Sequence, residues 1–309
     1  MKVTLHIANV KKTIYSFEIL PPVIGQNILA IFNTLSSLIE FNPPFVNVTY
    51  HRDDEVQKRL RRIGTISICV AIMHKYEIDA IPHLICGVFT KQMTENALIE
   101  LNFLGVYNIL ILRGDMMKFT KETSIHLYSI ELAKQIVNLN KGVFLIEDLK
   151  NMLSFDFCIG VAGYPEKHFE APNIEEDIFR LYEKIKAGSC YVMTQMFFDN
   201  NKYFDYIEIM RFAGLEVPII PGIKPLSSID QLKSIPSNFY VNIPIHLVKQ
   251  ITKYKKDIFH IGIEWAIQQS IELKEACIPV IHYYTMSKSD NIYQIVIELF
   301  ELNKLIPFR

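Results

Sequence analysis

Residues 94–115, TENALIELNFLGVYNILILRGD, join a helical pattern to a buried strand and so determine the expected fold. Thr94 is a suitable N-cap, and apolar residues then recur at helical spacing as far as Gly105, which favours a helix end. Residues 108–113 read as a strand built on the apolar run 109–112, which is typical of a parallel strand covered on both faces. The stretch therefore predicts one α/β unit with polar residues directly after its strand.

The same alternation of apolar runs and helical patterns continues along the chain. Helices are also predicted over residues 125–139, with Ile125 and Tyr128 buried, over residues 262–276, and after a capping box that begins at Asn173. Eight such units predict an α/β fold of the (β/α)8 TIM-barrel type, with a doubly wound open sheet as the alternative. Because no linker or repeat divides the sequence, we expect residues 1–309 to form a single domain. The predicted strands cover residues 15–19, 45–50, 80–86, 108–113, 156–163, 191–196, 217–223 and 279–285.

The composition is that of a globular protein and excludes several other classes. Among 309 residues, 50% are hydrophobic and 21% are charged, which argues against a disordered chain or a coiled coil. The net charge of -1 gives no electrostatic reason to expect nucleic acid or a membrane surface as a partner. The five cysteines lack zinc-finger or redox spacing, and the amino terminus lacks a targeting signal. We expect a reduced, cytoplasmic protein without a metal site.

Polar and titratable residues follow nearly every predicted strand. In a barrel the carboxyl ends of all strands meet at one face, where barrel enzymes build their active sites. We therefore expect a site at this face with several carboxylates and room for a nucleotide. The residues at the strand ends are Glu18, Thr49-Tyr50-His51, His83, Arg113-Gly114-Asp115, Tyr164 to His168, Thr194-Gln195 and Tyr283-Tyr284-Thr285.

Each of these residues also has a purely structural interpretation. Glu18, flanked by apolar residues, is either a structurally paired carboxylate or an acid that burial keeps protonated for proton donation. His83 beside Pro82 is more often a core histidine than a metal ligand. The helix that begins after Asn173 offers backbone N–H groups to a phosphate, although neither a GxGxxG nor a Walker A motif occurs.

Seven short motifs, each weak alone, are specific when taken together. They are Ser16-Phe17-Glu18 with Pro21-Pro22, Phe45 to Tyr50, Pro82-His83-Leu84, Leu112 to Asp115, Tyr164-Pro165-Glu166 with His168, Thr194-Gln195 with Phe197-Phe198-Asp199, and Ile220 to Ile223. In this order and spacing they resemble the methylenetetrahydrofolate reductase family, from about residue 15 to about residue 290.

The resemblance implies a TIM barrel with noncovalent FAD, which NADH or NADPH reduces and which then reduces 5,10-methylenetetrahydrofolate to 5-methyltetrahydrofolate for methionine synthesis. It implies that Glu18 is the general acid that opens the folate's imidazolidine ring, and that Asp115 is a catalytic carboxylate near flavin and pterin. It also implies folate contacts for Gln195, Gln231, Lys288 and Asp115. The residues implied to bind FAD are Thr49, Tyr50, His83, Arg113, Gly114, Asp115, Tyr128, Ser129, Tyr164, His168, Ala171, Asp177 and Lys184.

The chain departs from the family pattern at several positions. Residues 51–54 read His-Arg-Asp-Asp where small residues are common, and Lys288 stands where an arginine often approaches the folate tail. We expect a homo-oligomer and no carboxyl-terminal regulatory domain. Two other functions stay open: a Schiff-base lyase or aldolase barrel that uses Lys224, and a non-catalytic barrel that binds folate or a partner. Pro225 favours an ordinary turn lysine at Lys224.

Overall fold

A closed parallel barrel places the carboxyl ends of eight strands at one face. The computed structural model describes residues 1–50, 62–87, 89–114, 125–146, 153–285 and 289–301. The strands pair in sequence order and the first also pairs with the last, so the TIM-barrel prediction is confirmed and the open sheet is excluded. They are β1 (Ile14–Ile19), β2 (Phe45–Val48), β3 (Asp79–Ile85), β4 (Asn108–Leu112), β5 (Cys158–Gly163), β6 (Tyr191–Met196), β7 (Ile219–Ile223) and β8 (Val280–Tyr284).

Helices alternate with the strands and cover the outside of the barrel. They are α1 (Val3–Asn9), α2 (Leu29–Ile39), α3 (Thr65–Tyr76), α4 (Lys91–Phe103), α5 (Ser129–Asn140), α6 (Ile174–Lys186), α7 (Asn200–Phe212), α8 (Gln231–Phe239), α9 (Ile245–Lys253), α10 (Ile258–Glu275) and α11 (Asp290–Val296). A 3-10 turn at Lys255–Asp257 precedes α10, and a π-helical turn at Ile297–Glu301 follows α11. Among the helices of the described ranges, none is both long and apolar enough to cross a bilayer.

The strands are buried on both faces because one face packs against helices and the other fills the barrel. The amino end of the barrel holds a separate apolar layer, which includes Phe45, Tyr191 and Val3 of α1. The Val3 backbone N–H donates to Asn108 Oδ1 at 2.9 Å, which fixes α1 against this end. The amino end is therefore packed and apolar, whereas the polar strand ends collect at the opposite face.

The strand predictions are confirmed to within two residues at every boundary. The largest differences are at the carboxyl end of β2 and the amino ends of β5 and β7. Thr49 and Tyr50 directly follow β2 without belonging to it, although the Thr49 backbone N–H still donates to the Ile19 carbonyl oxygen at 3.0 Å. Composition alone cannot place this strand end, because both residues have side chains that are common in strands.

The predicted cap of α4 is wrong. Thr90 is the N-cap, and its Oγ1 accepts the Met93 backbone N–H at 3.1 Å. Thr94 lies one turn later, buried within the helix. Both threonines match the capping pattern, and the extended backbone of Thr90, which also bridges to Ile125, decides between them.

The predicted start of α5 is also wrong. Ile125 forms an antiparallel bridge with Thr90 instead of a helical turn, and the helix begins at Ser129. Tyr128 is the N-cap residue, and its side chain is half exposed rather than buried. The Glu131 carboxylate accepts the Leu127 backbone N–H at 2.7 Å, so a local acidic residue sets the start of the helix.

The remaining helix predictions differ in their outcomes. The cap of α6 is confirmed, since Asn173 Oδ1 accepts the Glu176 N–H at 2.8 Å. The helix predicted from Gly262 begins four residues earlier, at Ile258. Gly262 instead lets α10 approach the chain after β7, since an added Cβ would lie 1.8 Å from the Leu226 carbonyl oxygen. Helices α1, α8 and α9 are additional to the predicted alternation of one helix with each strand.

Gly160 provides a test of packing inside the barrel. In Gly160→Ala the new methyl group would lie 2.2 Å from Tyr191 Cζ, and the Tyr191 ring is fully buried. We expect the free energy of unfolding to fall by about 1–3 kcal/mol, measured by chemical denaturation. Gly64→Ala is the control, because nothing lies within 4 Å of its added Cβ, and its loss should stay below about 1 kcal/mol. Equal losses in both variants would contradict this account.

Candidate active site

Three neighbouring strands, β7, β8 and β1, bring a carboxyl, an amine and a phenol to the carboxyl end of the barrel. Glu18 of β1 is in register with Tyr284 of β8. Lys224 directly follows β7, and its Nζ donates to the Tyr284 carbonyl oxygen at 3.5 Å. The Tyr284 hydroxyl donates to the Thr194 carbonyl oxygen at 2.5 Å, and Thr285 Oγ1 donates to the Glu18 carbonyl oxygen at 2.5 Å. These bonds fix the backbone around the two charged side chains.

Burial controls the proton affinity of the Glu18 carboxyl. The residue is 7% exposed, and the loss of hydration raises its pKa from 4.5 to about 7. The Lys224 cation acts in the opposite direction and limits this increase. Glu18 is thus close to half protonated at neutral pH, the condition in which a carboxyl group is an efficient general acid.

Lys224 is not the ordinary turn lysine that Pro225 favours, because its side chain is buried with 7% of the residue exposed. Burial lowers the pKa of Lys224 from 10.5 to about 8, and the Glu18 carboxylate partly opposes this change. The carboxyl and the amine therefore act on each other, and we call them the acid–base pair.

The two predicted glutamines use their side-chain oxygens in local contacts. Gln195 lies near the end of β6, and its Oε1 accepts the Met196 N–H at 2.9 Å. Gln231 begins α8, and its Oε1 accepts the backbone N–H groups of Ser227 at 2.7 Å and Ser228 at 3.2 Å. Both side chains are half-buried, and in this arrangement their amide N–H groups point away from these contacts as potential donors to a ligand.

A polar layer lies in the barrel beneath Glu18. Ser16 Oγ lies 2.8 Å from His282 Nδ1, and Asn47 Nδ2 lies 3.1 Å from His83 Nε2. Because an amide nitrogen only donates, His83 Nε2 is the acceptor in the second bond, which leaves the proton of neutral His83 on Nδ1. His83 is therefore a buried histidine with a defined tautomer, in the position that the sequence predicts for a cofactor contact.

The ends of β2 and β4 are fixed by different means. Thr49 Oγ1 donates to the Ile19 carbonyl oxygen at 3.2 Å, and the edge of the Tyr50 ring lies against Phe89 with centroids 5.5 Å apart. Gly114 after β4 has φ +76°, and an added Cβ would lie 2.2 Å from Ile85 Cγ2. Only glycine fits at position 114 without strain. The backbone therefore requires this residue whether or not a ligand binds beside it.

Most of the other predicted cofactor contacts lie together between β4 and α6. Four basic residues, Arg113, Lys167, Arg180 and Lys184, form what we call the cationic cluster. Arg113 forms an ion pair with Glu170, and its guanidinium carbon lies 5.0 Å from the centre of the Tyr128 ring. Lys184 is half-buried, and its partial desolvation lowers its pKa, while Asp177 opposes that change. Ser129, the first residue of α5, directly follows Tyr128.

The loop after β5 packs closely around the cationic cluster. The His168 backbone N–H donates to Asp177 Oδ2 at 2.9 Å, and Lys167 Nζ donates to the Ala171 carbonyl oxygen at 2.5 Å. The rings of Tyr164 and His168 are 4.6 Å apart, edge to face. Burial first, and then the four cations, lower the pKa of His168 to about 4. The four cations act in the same direction as burial, so they make a positive contribution to the electrostatic potential at His168, which suits a phosphate-bearing ligand.

Some predictions fall on residues outside the described ranges, and they stay predictions. These are Asp115, Lys288 and the departures at residues 51–54. Within the part of the chain that the structure describes, no three His, Cys, Asp or Glu side chains converge as metal ligands would.

Three residues near the cationic cluster were not predicted from the sequence. Glu170 pairs with Arg113, and the Phe169 ring stacks on Tyr240 with centroids 4.7 Å apart. Phe169 and Glu170 directly follow His168 in the loop after β5. Their position in the sequence next to a predicted cofactor contact could have indicated that they belong to the site. Tyr240 is 70 residues further along the chain, after α8, where no local pattern indicates it.

A parallel (β/α)8 barrel whose carboxyl end holds a buried acid, a buried amine and a cationic cluster has the architecture of a TIM-barrel enzyme. The chain belongs to the methylenetetrahydrofolate reductase family, because the family model with that description matches residues 2–299.

Curated relatives agree with this assignment. Methylenetetrahydrofolate reductase 1 of Schizosaccharomyces pombe is 28% identical over 93% of this chain and 46% of its own length. The 5,10-methylenetetrahydrofolate reductase of Escherichia coli is 29% identical over 91% of this chain and 88% of its own length. That of Buchnera aphidicola is 30% identical over 94% and 93%. The chain thus spans about half the length of the eukaryotic relatives and most of the bacterial ones.

A solved structure with the same fold covers nearly the whole chain. A Clostridium thermocellum protein, described as binding two copies of 5-methyl-5,6,7,8-tetrahydrofolic acid, aligns over 98% of this chain and 99% of its own. The TM-score is 0.64 at 16% identity, which shows the fold alone.

The raised pKa of Glu18 predicts a pH-dependent stability. Between its unfolded value near 4.5 and about 7, the folded protein holds a proton that the unfolded chain has released, so wild-type stability falls as pH rises through this window. Glu18→Gln removes the effect. We expect its stability relative to wild type to rise between pH 5 and pH 7.5 by at most ~3 kcal/mol, measured by thermal unfolding. The exposed Glu208→Gln serves as the control, and a pH-independent difference for Glu18→Gln would contradict the assignment.

Proposed function

We propose that this protein is an FAD-dependent reductase of 5,10-methylenetetrahydrofolate, with NADH or NADPH as electron donor. The observation that carries the proposal is Glu18, an acid near half protonation that is buried at the carboxyl end of a barrel of this family. The relatives' names support the substrate and, for the Caenorhabditis elegans relative, NADPH. We also propose a single domain, a cytoplasmic location, a homo-oligomer and a role in methionine synthesis.

Glu18 is the proposed general acid. A proton from its carboxyl to N10 of the folate breaks the N10–methylene bond and leaves an electrophilic iminium at N5. A carboxyl group gives up this proton readily only if it holds one at neutral pH, which burial ensures here. The barrel also excludes water around Glu18, which strengthens its electrostatic action on the developing charge.

The residues around the cationic cluster fit FAD. The net positive field at His168 suits the diphosphate, and the Tyr128 ring beside Arg113 offers an apolar surface. When bound, FAD supplies the hydride chemistry between a nicotinamide nucleotide and the folate. We propose that Arg113, Lys184 and the His168 loop hold its phosphates, that Gly114, Tyr128, Ser129, Tyr164, Ala171 and Asp177 shape the same pocket, and that Thr49, Tyr50 and His83 lie against its ring.

The proposed folate contacts complete the site. The amide N–H groups of Gln195 and Gln231 suit the hydrogen-bonding edge of a pterin, because their oxygens are used in local bonds. We further propose Asp115 as a carboxylate that stabilises cationic character near the flavin and pterin, and Lys288 as a contact to the glutamate tail.

The visible spectrum of the purified protein tests the proposed function. We expect flavin absorbance near 370 and 450 nm, roughly as for any oxidised flavin. Anaerobic NADH or NADPH should bleach it, and 5,10-methylenetetrahydrofolate should restore it. A colourless protein that neither binds added FAD nor oxidises either nucleotide would contradict the proposal.

Glu18→Gln separates the two half-reactions. Because glutamine cannot donate the proton, we expect the variant to bind FAD and to be reduced by the nucleotide at nearly the wild-type rate. Reoxidation by the folate should slow by at least ~100-fold in stopped-flow absorbance. If flavin reduction is lost as well, the general-acid assignment is wrong.

Lys184→Met tests the cofactor site. Loss of a half-buried cation from the cationic cluster should weaken FAD binding by about 10-fold or more, measured by fluorescence titration of the apoprotein. Lys186→Met on the same helix is the matched control, because Lys186 lies near the Tyr182 ring and is not among the cations that act on His168. Equal weakening in the two variants would contradict the assignment.

A second candidate function is a Schiff-base lyase, which the buried Lys224 with its lowered pKa favours. This function predicts a protein without flavin that borohydride traps covalently with a carbonyl substrate. A non-catalytic folate-binding barrel would bind the folate but neither reduce it nor become trapped.

A further inference from the structure

The connection between α8 and α9 contacts the loop that carries His168. This His168 loop, residues 166–171, follows β5, and its Phe169 ring stacks on Tyr240 with centroids 4.7 Å apart and 12° between the planes. The His168 ring lies 4.7 Å from the Phe169 ring, tilted by 30°. Phe169 and Tyr240 are both about half exposed, so neither ring is part of the barrel core. A ring distant in the sequence therefore supports the neighbour of a proposed cofactor contact.

A second contact joins the same two segments. The Asn242 backbone N–H donates to Glu166 Oε2 at 3.1 Å, and the Asn242 side-chain amide donates to the same oxygen. Asn242 is two residues beyond Tyr240, and Glu166 is three residues before Phe169. We call the aromatic stack and these hydrogen bonds the clasp. One carboxylate and one ring of the His168 loop are thus both held by the connection between α8 and α9.

The α8 side of the clasp is anchored independently of the His168 loop. Val241, between the two clasp residues, is 4% exposed and belongs to an apolar cluster with Ile235 of α8 and Leu247 of α9. Tyr240 ends α8 with φ +57°, and its backbone N–H donates to the Pro236 carbonyl oxygen at 3.0 Å. The clasp therefore connects the His168 loop to a packed part of the molecule.

The backbone of the His168 loop requires such support. Lys167 has φ +79°, in the left-handed region that residues other than glycine seldom adopt. A conformation of this kind persists only where surrounding contacts determine it. Lys167 Nζ donates to the His168 and Ala171 carbonyl oxygens, and the His168 N–H donates to Asp177. These bonds lie within the loop or the proposed cofactor pocket, whereas the clasp connects the loop to residues that are not among the proposed cofactor contacts.

We propose that Tyr240 is a positioning residue, which acts through Phe169 to hold the His168 loop in the conformation that binds FAD. The inference rests on the proposed function. A loop that is ordered before its ligand arrives loses less conformational freedom on binding, so the affinity is higher. Tyr240 does not need to touch the cofactor to have this effect.

Hydrogen exchange of the flavin-free protein tests the clasp directly. Tyr240→Ala removes the stacking ring, and Tyr240→Phe keeps it. We expect the amide protons of residues 167–171 to exchange about 2- to 10-fold faster in Tyr240→Ala and at the wild-type rate in Tyr240→Phe, since an aromatic pair contributes a free energy of this size. Tyr254→Ala is the matched control, because Tyr254 is a similarly exposed tyrosine that ends α9 and contacts Lys253. It should match wild type.

Fluorescence titration of the apoprotein with FAD tests the functional consequence. Tyr240→Ala should weaken FAD binding by about 3- to 10-fold, while Tyr240→Phe and Tyr254→Ala should stay within about twofold of wild type. Once Phe169→Ala has removed the partner ring, adding Tyr240→Ala should have little further effect. General destabilisation would produce neither the rescue by phenylalanine nor this loss of additivity.

Three results would overturn the inference: wild-type exchange of the His168 loop in Tyr240→Ala, wild-type FAD affinity in that variant, or additive losses in the double variant. If Tyr240→Ala does not fold, Tyr240→Leu is measured in its place, because leucine keeps apolar volume without a stacking ring. A wild-type protein that binds no FAD would instead contradict the proposed function, and hydrogen exchange would still decide whether the clasp orders the loop.

Discussion

The burial of a carboxyl and an amine at the same end of a closed barrel is the constraint on which the candidate site depends. Removing either charge from water opposes folding, and the closed ladder of eight strands provides the rigidity that keeps both in place. Glu18 and Tyr284 are in register on adjacent strands, and Lys224 follows the next strand. A one-residue slip of β1 would turn Glu18 towards the helices, so the register and the chemistry are linked.

The barrel separates two kinds of electrostatic environment. The acid–base pair lies where β7, β8 and β1 end, and the cationic cluster lies between β4 and α6 on the other side of the same face. The polar layer of Ser16, Asn47, His83 and His282 lies in the barrel beneath Glu18. A ligand with an anionic part and a flat polar ring fits this division. Its anionic part would lie against the cationic cluster, and its polar ring would lie towards the acid–base pair. This arrangement is the physical reason for preferring a nucleotide cofactor to a small metabolite alone.

Sequence patterns predict the parts of this protein that depend on local burial. The strands are buried and mostly apolar because helices cover them, so their positions can be predicted from composition. Composition does not decide between two similar local signals. Thr90 and Thr94 are both suitable N-cap residues for α4, and the β-bridge between Thr90 and Ile125 favours Thr90. The stacking of Phe169 on Tyr240 and the burial of Lys224 depend on elements far apart in the chain. Pro225 carries no information about what surrounds the Lys224 side chain.

The mutual effect of Glu18 and Lys224 explains why neither charge is simply lost. An isolated carboxyl at this depth would stay protonated, and an isolated amine would stay neutral, because burial disfavours both charged forms. Together, each ionised group lowers the free energy of the other, and burial brings two ordinary pKa values of 4.5 and 10.5 to about 7 and about 8.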